Sequence, residues 1–146
     1  MLYGNTTLLT YNNINIMKKL DTKVILSTLW IVIMFNMAYA DILSLYIPGI
    51  HDELASFAGE TPITQLMLIG AIVHQIPLFM ILLSRILQYK ANRSTNIIAA
   101  IITIIYVIGG GSFMPHYIFI ATIEVVCMAL IVYIAWRWKE ERGSSI

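Results

Sequence analysis

Four apolar stretches, each about as long as a bilayer is thick, divide this chain and leave it few ways to fold. They run from Lys23 to Tyr46, Ile63 to Leu87, Thr95 to Ser112 and His116 to Trp138. A helix rises about 1.5 Å per residue, so roughly 20 apolar residues span the hydrocarbon core. Lipid offers no hydrogen bonds, so such a chain crosses as helices whose backbone groups pair internally. The expected fold is all-α: an integral membrane, up-down-up-down bundle of four transmembrane helices. Composition agrees. The chain is 59% hydrophobic and 12% charged, where a soluble domain has about 45–50% and about 25%.

At 146 residues the chain makes one domain at most. The transmembrane unit is expected over residues 21–142, with an N-terminal arm at 1–20 and a short tail at 143–146. The opening run, MLYGNTTLLTYNNINIM, has neither the charged start nor the continuous apolar core of a signal peptide. Its Asn and Thr content reads as a disordered arm. Met17 is a second candidate start, which would make residues 1–16 an upstream extension.

The basic residues set an expected orientation. Lys18, Lys19 and Lys23 precede the first span. Arg85, Lys90 and Arg93 flank the turn between the second and third, and Arg137, Lys139 and Arg142 close the fourth. All nine fall on one side, and cytoplasmic loops carry the excess of Lys and Arg. Both termini are therefore expected in the cytoplasm. The outer loop HDELASFAGE holds Asp52, Glu53 and Glu60 and no Lys or Arg. A short amphipathic piece, Asp52 to Phe57, would lie on the membrane surface. Pro62 suits the first turn of the second helix, where a missing N–H is harmless. The segment Gln88 to Ser94 reads as a short inner loop. Pro77, inside the second span, frees the Val73 carbonyl and is expected to kink the helix.

Charged and polar groups at membrane depth are costly and tend to be functional. Asp41 lies roughly 8 Å below the outer end of its helix and Glu124 roughly 12 Å below the start of its own. His74, Gln75 and Asn36 lie near the midplane. Helical spacing puts Met67, Gly70, Ala71, His74 and Leu78 on one stripe. Tyr117, Ala121, Glu124, Met128 and Ile131 make another. Asn96, Ala99, Thr103, Tyr106 and Gly110 form a small and polar face of the third span. Asn36 is about 140° around the helix from Asp41.

These positions suggest an outward-opening pocket built from Asp41, His74 and Glu124 and lined by Asn36, Tyr39, Gln75, Thr103 and Tyr106. Two carboxylates in one low-dielectric site repel when both are ionised, so such a site takes up a proton or a cation. A histidine beside them can share that proton. The competing reading is interhelical bonding, with each acid tied to a Tyr, Asn or His. Such contacts contribute only about 0.6 kcal/mol each on average.

Other chemistries find little support. One histidine and two acids lack the spacing of a metal site, and no cofactor motif is present. The glycines at 109–111 follow no strand and precede no lysine, so they are a helix end and not a phosphate loop. The single Cys127 cannot form an internal disulfide. A net charge of +1 gives no argument for nucleic acid. No internal repeat supports an inverted-repeat transporter.

Several segments carry a resemblance. They are LSTLWIVIMFNMAYADILSL, ITQLMLIGAIVHQIPLFMILLSR with ANRSTNIIAA, and HYIFIATIEVVCMALIVYIAWRW. With the Tyr39–Asp41, Ile76-Pro77, Ser84-Arg85, Asn92-Arg93 and Ile123-Glu124 motifs, they resemble a family of small bacterial membrane proteins known as a domain of unknown function. The resemblance covers Asp21 to Trp138. It implies four helices in the bacterial cytoplasmic (inner) membrane and transfers no activity.

Three functions are consistent with these features. The first is binding or transport of a small molecule, cation or proton through the polar pocket. The second is an accessory subunit packed against a membrane-protein partner or a second copy of itself. The third is an enzyme acting on a lipid-like or quinone-like molecule, which the lack of a nucleophile or metal motif disfavours.

Overall fold

A computed structural model describes residues 21–139. The expected arm at 1–20, the Met17 start and the tail at 143–146 lie outside the described residues. Those residues form five helices and no strand: α1 (Thr22–Ser44), α2 (Ile50–Ala58), α3 (Ile63–Ile86), α4 (Tyr89–Gly109) and α5 (Pro115–Arg137). The four longer ones are each long and apolar enough to cross a membrane.

Local chemistry sets the ends of these helices. The Asp21 carboxylate accepts the Lys23 N–H at 3.0 Å and caps α1. The amphipathic piece of the outer loop is a full helix, α2, held between Gly49 (φ 83°) and Gly59 (φ 57°). Both glycines have the positive φ that side chains disfavour. Helix α2 buries none of its residues. Helix α3 runs through Pro77 as one element, with the proline buried.

The connection between α3 and α4 differs from expectation. Residues 89–94 are helical, so only Leu87 and Gln88 link the two helices. Lys90, Ala91 and Arg93 are good helix formers. Asn92 is fully buried and donates to the Ser84 carbonyl at 2.7 Å, which ties the first turn of α4 to the last turn of α3. At its other end α4 stops at Gly109, before the expected Ser112.

Helix α1 packs against α3 and α5, and α4 packs against the same two. Early residues of one helix meet late residues of the next. The Lys23 ammonium donates to the Leu87 carbonyl at 2.7 Å. The Tyr89 hydroxyl donates to the Trp138 carbonyl at 2.8 Å and the Tyr117 hydroxyl to the Val107 carbonyl at 3.0 Å. Leu26, Trp30, Ile33 and Met37 of α1 fill the centre with Met80, Met128 and Ile131. Helix α4 supplies Ala99 and Ala100 there, small residues that let backbones approach.

One half of the bundle holds a polar network that no lipid could replace. Trp30 Nε1 donates to Asn96 Oδ1 at 2.7 Å, and the Ser84 hydroxyl donates to the same oxygen at 3.1 Å. The Asn96 amide donates to the Asn92 carbonyl at 2.9 Å and to Asn92 Oδ1. Beside it, the Ser27 hydroxyl donates to the Ile81 carbonyl at 2.8 Å and accepts Arg85 Nε at 3.1 Å. Ser27, Trp30, Ser84, Asn92 and Asn96 have no exposed surface. Three helices are thereby joined through side chains that each find a partner.

Removing the hub should therefore be costly. Asn96→Leu strands the Trp30 N–H and the Ser84 hydroxyl, and is expected to destabilise the fold by about 1–3 kcal/mol. Thr122→Val removes an exposed hydroxyl that bonds only its own helix, and is expected to change stability by less than about 0.5 kcal/mol. Thermal unfolding of the detergent-solubilised protein checks the pair; equal effects would remove the network from the account.

Candidate functional site

The opposite half of the bundle contains a small cavity to which all four long helices contribute. Its volume is about 80 Å³. Met37, Ala40 and Asp41 reach it from α1 at the one-turn spacing of a helix face. His74 comes from α3, Tyr106 and Val107 from α4 with Gly110 just past its end, and Tyr117 and Glu124 from α5. Below it lies the apolar layer of Ile33, Met80, Met128 and Ile131, which separates it from the asparagine network.

His74 Nδ1 lies 2.8 Å from the Gly70 carbonyl, one turn earlier on its own helix. A carbonyl oxygen only accepts, so Nδ1 carries a proton and donates it. Nε2 then points away, 3.2 Å from Asp41 Oδ2. The approach is close but off-line, so Nε2 is buried without a directional hydrogen bond. The edge of the His74 ring stands against Tyr106, with centroids 5.7 Å apart at 84°. Close packing fixes this corner: a Cβ on Gly70 would lie 3.3 Å from the Tyr106 hydroxyl.

Glu124 and Asp41 have different surroundings. Glu124 is 3% exposed, and its Oε1 is buried with no partner among the described residues. An unpaired polar atom in a dry interior is expensive, and the cavity wall is where this one lies. Asp41 has a side chain that is 65% exposed. It stands at the rim of the cavity, on the flank of the bundle.

The structure thus brings Asp41, His74, Glu124 and Tyr106 to one cavity, and places the other four candidate lining residues elsewhere. Asn36 is half-buried and is not part of the wall, consistent with its large rotation from Asp41 on α1. Tyr39 and Gln75 face outward; Gln75 is about 100° around the helix from His74. Thr103 is fully buried but bonds the Ala99 carbonyl at 2.8 Å, below the cavity. Tyr117 and Gly110 are the reverse case. Both share a face with a selected residue, Glu124 and Tyr106 respectively, and stride alone would have found them.

The described residues contain no group of three His, Cys, Asp or Glu side chains close enough to hold a metal ion together. A larger groove of about 410 Å³ runs along α4 and α5, lined by residues such as Ile108, Phe113, Ala121 and Val125. Its walls are almost wholly apolar, so it has shape but little chemistry.

These features define a multi-pass, all-helical membrane protein with a polar cavity in one half of the bundle. The chain matches the family of unknown function DUF6326 over residues 15–145 and belongs to that family. No curated protein and no solved structure matches it.

The histidine geometry is directly testable. Nitrogen-15 spectra of the bilayer-reconstituted protein are expected to show His74 Nδ1 protonated and hydrogen-bonded. Asp41→Asn should shift the Nε2 resonance and leave Nδ1 in place. A bare Nδ1 would contradict the arrangement.

Proposed function

We propose that this protein binds a proton or a small cation in the cavity between Asp41, His74 and Glu124, as part of transport or sensing across a bacterial cytoplasmic membrane. One observation carries the reading. Groups from three helices meet at one cavity, and the most buried of them, Glu124, has an oxygen without a partner. A carboxylate buried at membrane depth needs a counter-charge or a proton. The lining supplies no Lys or Arg.

Volume separates this reading from the enzymatic one. Sites for drug-sized molecules occupy about 300–1,000 Å³, and each water takes about 30 Å³ of liquid. A cavity of about 80 Å³ suits a small ion with a water or two, and is too small for a lipid or quinone headgroup.

In this reading the cavity faces outward and both termini are cytoplasmic. Lys23, Arg85, Lys90, Arg93, Arg137 and Lys139 gather at the far end of the bundle. There Arg93 lies 5.6 Å over the Trp136 ring, as interfacial basic and aromatic residues do. A second reading, packing against another copy of the chain, draws on Asp41. A carboxylate on the flank of the bundle is costly against lipid, and a neighbouring subunit would cover it.

Two experiments test the reading. In a Cys127→Ala background, an impermeant maleimide added from outside should label Ser56→Cys on α2 and spare Arg93→Cys on α4. Labelling of the opposite pattern would invert the orientation. In proteoliposomes, Glu124→Gln should abolish pH- or cation-dependent activity while inserting normally. If Glu124→Gln behaves as wild type and Asp41→Asn instead dissociates an oligomer, the subunit reading replaces it.

A further inference from the structure

The donors and acceptors around the cavity do not balance. The acceptors are Glu124 Oε1, buried without a partner among the described residues, and the Asp41 carboxylate, whose Oδ2 lies 3.2 Å from His74 Nε2. His74 Nδ1 is given to the Gly70 carbonyl and Nε2 faces Asp41, so neither ring nitrogen reaches Glu124 with a hydrogen bond. On the donor side, the Tyr117 hydroxyl is already given to the Val107 carbonyl. That leaves Tyr106. The site therefore asks for a ligand that brings positive charge and several N–H or O–H donors.

A bare metal ion is a poor answer. It needs several oxygen, nitrogen or sulfur ligands converging on one point. The described residues do not bring three His, Cys, Asp or Glu side chains close enough to share an ion. An ammonium group instead uses separate acceptors in separate directions, each N–H finding its own. It is also favoured by aromatic walls, which here are Tyr106 and Tyr117. The outer loop adds Asp52, Glu53 and Glu60 without a Lys or Arg, and a field of one sign raises the local concentration of the opposite charge.

Resting on the cation-binding reading above, we propose that the cavity takes an ammonium-type cation, ammonium itself or a short primary alkylamine. One N–H is directed at Glu124 Oε1 and another at the Asp41–His74 pair. Tyr106 and Tyr117 pack against the remainder. With a volume of about 80 Å³, the cavity admits methylammonium and excludes bulky quaternary amines.

The test is calorimetric titration of the full-length protein in nanodiscs with methylammonium chloride, ammonium chloride, sodium chloride and tetraethylammonium chloride at matched ionic strength. Saturable binding of the first two is expected, with no competition from sodium or tetraethylammonium. Glu124→Gln should weaken methylammonium binding by about tenfold or more, the loss of one charge-assisted hydrogen bond. Asp41→Asn, at the exposed rim, provides a second variant should Glu124→Gln fail to fold; it should also weaken binding. Sodium binding that depends on Glu124, with no methylammonium binding, overturns the ammonium assignment and leaves the cation site standing. Absence of any Glu124-dependent binding overturns both.

Discussion

Lipid supplies no hydrogen bonds, so every polar group at membrane depth must find a partner inside the bundle or face a cavity. The two halves of this protein meet that constraint in opposite ways. In the half near the basic residues, Asn96 joins Trp30, Ser84 and Asn92, while Ser27 ties α1 to Ile81 and Arg85 of α3. Every member is bonded. In the other half, Glu124 Oε1 has no partner among the described residues, and His74 Nε2 meets only the Asp41 carboxylate, at 3.2 Å. A layer of Ile33, Met80, Met128 and Ile131 keeps the halves apart. The saturated half joins α1, α3 and α4 through side chains, and the other half leaves a cavity between the helices.

The cavity depends on this division of labour. Small residues of α4, Ala99 and Ala100, bring the helices together at the core. At the cavity end Gly70 and Gly110 leave just enough room for the Tyr106 side chain and backbone. The phenol, the imidazole and the carboxylates then meet from separate helices, each held by its own backbone.

Much of this was legible in the sequence. Span number followed from length and hydropathy, and the helical stride put His74 beside Gly70 and Glu124 above Met128. What the sequence did not show was rotation and partnership. Asn36, Tyr39 and Gln75 are polar at the right depth, but a helix turns about 100° per residue and they fall outside the cavity. The asparagine network was hidden for another reason. Asn92 sits in a polar run that reads as loop, and Ser27, Trp30 and Ser84 are unremarkable alone. Their meaning comes from pairing across helices, although the four-residue spacing of Asn92 and Asn96 was a signal that α4 begins early.

The central claim is that the Glu124 carboxyl faces a ligand site. Isotope-edited infrared difference spectroscopy of the bilayer-reconstituted protein, with and without methylammonium at fixed pH, tests it most directly. The account predicts a change in a carboxyl band that vanishes in Glu124→Gln. Difference spectra identical in wild type and Glu124→Gln would contradict it.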